Sequence, residues 1–213
     1  MTRVVDAIAF DFGGVLIHAL VPAIHAQAER HEVEPAAMLE VLMGDPHVDT
    51  DHPWHRAERG ELDTTEIQGQ LDPYATAQGV TLHGDEIDVI LGRKDYGVQD
   101  VLLARITSLR AEGYRTALVT NSFREFRPTL EELLDLPQLF DVVVDSSQVG
   151  ARKPSARLFE ILLDRLDLPA DRVLFLDDFA GNIAGAQAAG LRTIHVTDVH
   201  AALAELDAIL SGT

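Results

Sequence analysis

The sequence predicts an α/β protein with a doubly wound parallel sheet and a small helical insertion after the first strand. Five short runs rich in Val, Ile and Leu do not alternate polar and apolar residues, which is typical of strands covered on both faces. Helical patterns separate the later runs. About ninety residues without a convincing strand follow the first run. A structureless loop of that length is uncommon in a compact domain, so we interpret this segment as a helical cap domain.

Each element follows from a local pattern. The predicted strands are Val4–Phe10, Arg115–Thr120, Val142–Asp145, Val173–Leu176 and Thr193–Val196. The predicted core helices are Val101–Glu112 (ended by Gly113), Ser155–Leu168 (with Ser155 as a possible N-cap), Ala180–Ala189 and Ala201–Leu210. The cap candidates are Pro22–His31, Pro35–Met43, Thr64–Gln78 and Gly84–Leu91, with a Pro/His/Asp-rich stretch at Asp45–Trp54.

Composition narrows the function classes. The 213 residues carry 17 Lys and Arg against 35 Asp and Glu, a net charge of −18, and no cysteine. An acidic surface repels phosphate backbones and anionic lipid, so we expect no nucleic-acid or membrane partner. Disulfides and thiolate zinc sites are excluded. No apolar run could span a membrane, and an acid at Asp6 precedes any signal-peptide core. We expect a cytoplasmic protein; its oligomeric state is not predicted.

An acidic residue follows the first strand directly. Asp11 precedes Phe12, Gly13 and Gly14. Open α/β sheets bind ligands at the carboxyl ends of their strands, and glycines let backbone N–H groups turn towards an anion. The same residues could equally form a simple Asp-Phe-Gly turn.

A second acidic pair, Asp177 and Asp178, follows the fourth strand. Adjacent carboxylates repel each other unless a cation or basic groups neutralise them. Together with Asp11 they supply the oxygen ligands that Mg²⁺ prefers. The alternative is a solvated loop that caps the helix beginning at Ala180.

Two further segments could hold an anion. Thr120, Asn121 and Ser122 offer hydroxyl and amide groups at the end of the second strand. Lys153 precedes a helix start, where the helix dipole disfavours a cation, so a negative partner is expected. Taken singly, these residues could be an ordinary strand-to-helix turn and a surface lysine.

In order, these segments resemble the four motifs of the haloacid dehalogenase-like hydrolase superfamily. The matching segments are Asp11-Phe12-Gly13-Gly14-Val15, Leu118-Val119-Thr120-Asn121, Lys153-Pro154 and Phe175-Leu176-Asp177-Asp178. The resemblance implies a Rossmann-like sheet in the order 3-2-1-4-5, a core at 1–16 and 98–213, and a cap at 17–97. The segment Trp54–Leu62 resembles the branch of bacterial sugar-phosphate phosphatases and the N-terminal phosphatase domain of soluble epoxide hydrolase.

The resemblance also implies a mechanism. Asp11 would attack phosphorus and form an aspartyl-phosphate, with Lys153 as a second catalytic residue. Mg²⁺ would be held by Asp11, the Gly13 carbonyl, Asp177 and Asp178, with Asp178 favoured as a direct ligand. Phosphate binding is expected at Gly13, Gly14, Thr120, Asn121 and Lys153, and Asn182 would orient the fourth motif. The expected partner is a small phosphorylated metabolite such as a sugar phosphate.

One position departs from the family pattern. Most phosphatases of the family carry a general acid–base aspartate where this chain has Gly13. His18, His55 or Glu58 could supply the proton, the substrate could have a good leaving group such as a sugar 1-phosphate, or the protein could bind phosphometabolites without turnover. A metal-independent 2-haloacid dehalogenase, with Asp11 attacking carbon, is a further alternative. The Asp177–Asp178 pair and Gly13-Gly14 favour the phosphatase.

Other polar residues are expected to be structural. A group of acids and histidines in the cap is expected to be a solvated loop rather than a metal site; its members are Asp45, His47, Asp49, Asp51, His52 and His55. His195 is expected in the core or at its rim. Trp54 and Phe123 are expected to pack in the interior or to line a cleft between cap and core.

Overall fold

The computed structural model describes residues 3–92 and 97–212, and this part of the chain contains a five-stranded parallel sheet. The strands are β1 (Ala7–Phe10), β2 (Arg115–Thr120), β3 (Val142–Asp145), β4 (Val173–Asp177) and β5 (Arg192–His195). Their order is β3-β2-β1-β4-β5, which confirms the predicted fold class. The first strand begins three residues later than predicted, at Ala7, and the fifth begins one residue earlier.

Helices follow every strand. Between β1 and β2 they are α1 (Val21–Arg30), α2 (Pro35–Met43), α3 (Pro53–Glu58), α4 (Thr64–Ile67), α5 (Asp72–Ala77), α6 (Glu86–Leu91) and α7 (Asp100–Ala111). After β2 they are α8 (Arg127–Leu133), α9 (Leu136–Leu139), α10 (Ser146–Val149), α11 (Ala156–Leu166), α12 (Ala180–Ala188) and α13 (Val199–Ser211). Short 3₁₀ turns lie at Gln68–Gln70, Arg124–Phe126 and Ala170–Arg172.

The sheet is buried on both faces, as its uninterrupted apolar strands require. In β1, Ile8 and Phe10 join the hydrophobic cluster that contains α7 and α13. Ala7 and Ala9 point to the opposite face and pack in the cluster that contains α11. Successive side chains of a strand alternate between faces, so four consecutive apolar residues supply both layers.

The inserted helices have a hydrophobic cluster of their own, which includes Met38, Leu42, Trp54 and Ile67. The predicted single helix Thr64–Gln78 is wrong: α4, a 3₁₀ turn and α5 occupy this stretch. Pro73 begins a new helix there because proline has no N–H to donate within a helix interior. The predicted domain limits stay a prediction, and residues 93–96 lie outside the described residues.

The cap lies directly over the carboxyl edge of the sheet. At the start of α12, a Cβ added to Gly181 would lie 2.7 Å from the carbonyl oxygen of Pro46 in the cap. A buried ion pair joins the two parts, because Arg152 Nε donates to Glu58 Oε2 at 2.6 Å. Among the described residues, no helix combines the length and the apolar character that a membrane crossing demands.

Candidate active site

The acids predicted from the sequence lie together at the carboxyl edge of the sheet. Asp11 follows β1, and Asp177 and Asp178 lie at the end of the neighbouring β4. Asp11 N donates to Leu176 O at 2.9 Å, which extends the ladder between these strands. One carboxylate oxygen from each of the three acids lies within 4.8 Å of the other two. Strand order therefore creates an acidic cluster from residues more than 160 positions apart.

Lys153 enters this cluster as its cation. Its buried Nζ donates to Asp11 Oδ1 at 2.5 Å and to Asp177 Oδ2 at 2.6 Å. Burial alone would lower the pKa of Lys153, but the Asp11 and Asp177 carboxylates outweigh burial and raise it. The expected negative partner of Lys153 is thus present twice.

Asn121 holds the backbone of that lysine. Its Oδ1 accepts from Lys153 N at 2.8 Å, and its Nδ2 donates to Lys153 O at 3.1 Å. The side-chain oxygen and one amide hydrogen are therefore occupied within the protein. These contacts make Asn121 a residue that positions Lys153, and the phosphate binding expected from the sequence stays a prediction.

The two acids after β4 have different surroundings. Asp177 accepts from Phe179 N at 2.8 Å and from Asn182 Nδ2 at 3.0 and 3.2 Å, in addition to Lys153. Asn182 thus contacts the fourth motif, where it was expected. In contrast, the buried Oδ1 of Asp178 has no hydrogen-bond partner in the described part of the chain. Burial, followed by the Asp11 and Asp177 charges, raises the pKa of Asp178 to about 8.

The two glycines of the first motif differ in what surrounds them. Gly14 has a φ of +79°, and an added Cβ would lie 1.9 Å from Asp178 Oδ2. Gly14 N donates to Ile17 O at 2.9 Å within the tight loop. Phosphate binding at Gly14 stays a prediction. At Gly13 no atom lies within 4 Å of an added Cβ. Gly14 therefore makes room for Asp178, and Gly13 faces open space.

Hydroxyl groups complete the site. Thr120 is buried at the end of β2, and its Oγ1 lies 3.3 Å from Asn121 O. Ser122 is also buried, and its Oγ has no partner in the described residues. Ser122 belongs to the segment in which the sequence indicated an anion site, but it was not among the predicted phosphate-binding residues.

The cluster carries more negative than positive charge. Three carboxylates surround one ammonium group, and burial is the main cause that raises the pKa of Asp11 to about 7, with the Asp177 charge adding to it. A further cation would relieve this excess. Clustered carboxylate oxygens suit a hard divalent ion, and the unpaired Asp178 Oδ1 offers it a ligand. The residues present therefore fit Mg²⁺.

A cavity of about 360 Å³ between cap and core reaches the acidic cluster. Asp11, Gly13, Thr120, Lys153 and Asp178 line it from the core. Trp54 and Phe123 also line it, and their rings pack edge to face with centroids 4.8 Å apart. Both expected roles of these aromatic residues, packing and lining the cleft, are thus present together.

None of the three suggested proton donors is arranged as a free acid. His18 is exposed and is not part of the cavity lining. His55 lines the cavity, but burial, its largest influence, lowers its pKa to about 3, so its imidazole is neutral near pH 7. Glu58 accepts from Trp54 Nε1 at 2.9 Å and from Arg152 Nε at 2.6 Å, so both of its oxygens are occupied.

The remaining polar residues divide between surface and interior. Asp45, His47, Asp49 and Asp51 are exposed, as expected for a solvated loop. The same expectation is wrong for His52 and His55, which are buried where α3 begins. His52 caps this helix, because its Nδ1 accepts from Trp54 N at 3.2 Å. His195 is exposed at the rim, and its Nε2 lies 2.9 Å from the carbonyl oxygen of Asp178.

Curated relatives include several hydrolases. The chain is 30% identical over 208 residues to acyl-CoA dehydrogenase family member 10 of Mus musculus, covering 96% of this chain and 19% of that protein. It is 35% identical over 112 residues to bifunctional epoxide hydrolase 2 of Rattus norvegicus, covering 51% of this chain and 20% of that protein. The chain thus spans about a fifth of these relatives. It is 27% identical to a sesquiterpene phosphatase of Aspergillus oryzae, covering 97% of each.

Solved structures share the fold. A HAD-like hydrolase from Porphyromonas gingivalis has a TM-score of 0.63 and 24% identity, over 95% of this chain and 98% of that one. The L-2-haloacid dehalogenase of Xanthobacter autotrophicus has a TM-score of 0.61 and 17% identity, and the match covers 98% of this chain and 84% of that one. A family model described as haloacid dehalogenase-like hydrolase matches residues 5–190. With the predicted sheet order and the assembled motifs, this match shows that the chain belongs to the haloacid dehalogenase-like hydrolase family.

Proposed function

We propose that this protein is a Mg²⁺-dependent phosphatase that hydrolyses a small phosphate monoester through an aspartyl-phosphate on Asp11. The observation that carries the proposal is the convergence of Asp11, Asp178 and Lys153 at one end of a cavity, with Asp178 Oδ1 left unpaired. The family membership and the phosphatases among the relatives support it.

The metal ligands follow from the hydrogen bonds. Asp11, Asp178 and the carbonyl of Gly13 would hold Mg²⁺, since both oxygens of Asp177 already accept from protein donors. Asp177 would then orient Lys153 and the loop after β4. When bound, the ion would offset the repulsion between a carboxylate and an anionic phosphate and stabilise charge on the transferring group.

The protein's own groups would carry the two displacements. Lys153 fixes one oxygen of Asp11, and the carboxylate forms a bond to phosphorus as the ester P–O bond breaks. Thr120 and Ser122 hydroxyls would donate to the phosphoryl oxygens. Water then attacks the same phosphorus, which releases inorganic phosphate and restores the carboxylate. The leaving oxygen would take its proton from solvent.

Gly13 limits the leaving group. Because His55 is neutral and Glu58 is fully hydrogen-bonded, the substrate's leaving oxygen should need little protonation. By the leaving group alone, this favours sugar 1-phosphates or aryl phosphates over simple alkyl phosphates. A sugar phosphate as the natural substrate stays a prediction.

A phosphate-ester panel with and without Mg²⁺ tests the proposal, with Asp11→Asn as the matched variant. We expect turnover that requires Mg²⁺ and is lost in Asp11→Asn. Binding of beryllium fluoride with Mg²⁺ but no turnover on any ester would instead indicate a non-catalytic phosphate-binding protein. Release of halide from 2-chloropropionate that persists in EDTA would indicate a dehalogenase.

A further inference from the structure

The cap side of the cavity is mostly apolar. Five cap helices contribute to it, and apart from His55, Glu58 and Thr64 the helical side chains they present are apolar. These are Val21, Leu39, Met43, Trp54, Ile90 and Leu91. Leu39, Met43 and Leu91 are only partly buried. Partly buried apolar side chains that border a cavity lose water contact when an apolar group enters it, and this favours binding of that group.

Several polar groups of the cap lining are already engaged, whereas the buried Nε2 of His55 has no hydrogen-bond partner in the described residues. Glu58 accepts from Trp54 and Arg152. The Nδ1 of His55 accepts from Thr50 N at 3.1 Å. The backbone N–H of Thr64 donates to Glu125 Oε1 at 3.2 Å. A substrate with many hydroxyl groups would lose hydration here and find few free partners, which is costly for buried polar groups.

Among the described residues that line the cavity, no cationic side chain is left without a carboxylate partner. In the described lining, the cationic side chains are Arg152 and Lys153, and both form ion pairs with buried carboxylates. Within the described lining, a second phosphate or a carboxylate on the substrate would therefore meet Glu58 or other acids without a compensating cation.

We infer that the substrate is a phosphate monoester of an apolar phenol, or of another apolar alcohol whose oxygen leaves with little protonation, with no second charged group and few hydroxyls. Its apolar part lies against the wall formed by Leu39, Met43 and Leu91, while its phosphate reaches Asp11. This inference rests on the proposed phosphatase function and adds the class of substrate to it.

A series of para-alkylphenyl phosphates, from methyl to butyl, tests the inference because the phenol leaving group stays nearly constant. We expect kcat/KM to rise about threefold for each added methylene, close to the transfer preference of one CH₂ for an apolar site. The 4-(2-hydroxyethyl)phenyl ester matches the propyl ester in size, but its kcat/KM should be no higher than that of the methyl ester because its end is polar. The 4-(2-carboxyethyl)phenyl ester adds a negative charge and should fall below it.

Two variants test whether the apolar cap wall causes the dependence of kcat/KM on chain length. Met43→Gln should flatten the dependence on chain length, because an amide replaces part of the apolar wall. Leu82→Gln is the matched control: Leu82 is also a partly buried cap residue, but it is not part of the cavity lining, and the dependence should persist. Thermal unfolding of both variants checks that the cap stays folded.

The outcomes separate this inference from the proposed function. Turnover that is independent of chain length, or faster on glucose 1-phosphate than on the butyl ester, would overturn the apolar substrate class and leave the phosphatase intact. If no ester is hydrolysed, the proposed phosphatase function is refuted. Calorimetry then measures the affinity of the cavity for para-alkylbenzylphosphonates without any turnover. Affinity rising with chain length would support the apolar site, and affinity unaffected by chain length would overturn it.

Discussion

Restoring an acid at Gly13 should create the catalytic group that this chain lacks. Gly13 lines the cavity, and no atom lies within 4 Å of an added Cβ, so the Cβ of Gly13→Asp would displace no neighbour. General acid–base help is worth about 10²–10⁴-fold. A fourth carboxylate beside Asp11 adds repulsion, so we expect a gain at the lower end of this range. On a simple alkyl phosphate, kcat/KM should rise about a hundredfold in Gly13→Asp. An aryl phosphate, whose leaving oxygen needs little protonation, should gain far less.

Steady-state kinetics on butyl phosphate and phenyl phosphate, both with saturating Mg²⁺, measure this difference. Gly13→Asn is the matched control, because it has the size of aspartate but cannot exchange a proton, and it should give no gain. The reasoning is refuted if Gly13→Asp and Gly13→Asn lower activity alike on both esters. The backbone geometry of the glycine would then matter more than the missing acid.

Three other perturbations have defined outcomes. Gly14→Ala should weaken Mg²⁺ binding at least tenfold by calorimetry, since its Cβ would displace the Asp178 carboxylate; unchanged affinity would contradict Asp178 as a ligand. Glu58→Ala should lower the free energy of unfolding in urea by about 2–3 kcal/mol, because it leaves the buried Arg152 with only a hydrogen bond to Val48 O at 3.3 Å and a contact to Asp49 at 3.8 Å. A loss below about 1 kcal/mol would argue that this ion pair does not hold cap and core together. The pKa of His55 is about 3 in the folded protein against its usual 6.5, so the unfolded state binds the proton first as the pH falls. Stability should therefore fall below about pH 6.5, by about 1–2 kcal/mol between pH 7 and pH 5. A His55→Gln variant whose stability has the same pH dependence would contradict this.

The sheet and the position of the acidic cluster could be predicted because both follow from short-range patterns. Uninterrupted apolar runs indicated strands with two covered faces, and β1 supplies both layers through Ile8 and Ala9. Acids directly after such strands must lie at the carboxyl edge, and the family resemblance supplied the strand order. Asp11 and Asp177 therefore meet as expected.

What the sequence did not predict depends on hydrogen bonds and on contacts between distant residues. Asn121 contacts the backbone of a residue 32 positions away, and Glu58 pairs with Arg152 across 94 positions. No local pattern encodes such pairs. The break at Pro73 did have a local signal, because proline disfavours a helix interior. Helix α3, which was not among the predicted helices, also had a local signal, because proline is common in the first turn of a helix. Its N-cap is His52, and histidine is not a usual N-cap residue.

The stereochemistry at phosphorus tests the central claim most directly. An ester whose phosphorothioate group is made chiral by oxygen isotopes would be hydrolysed with Mg²⁺, and the configuration of the released thiophosphate would be determined. Transfer to Asp11 followed by attack of water inverts phosphorus twice, so the account predicts net retention. Net inversion would mean that water attacks the ester in a single step, and it would contradict a covalent role for Asp11.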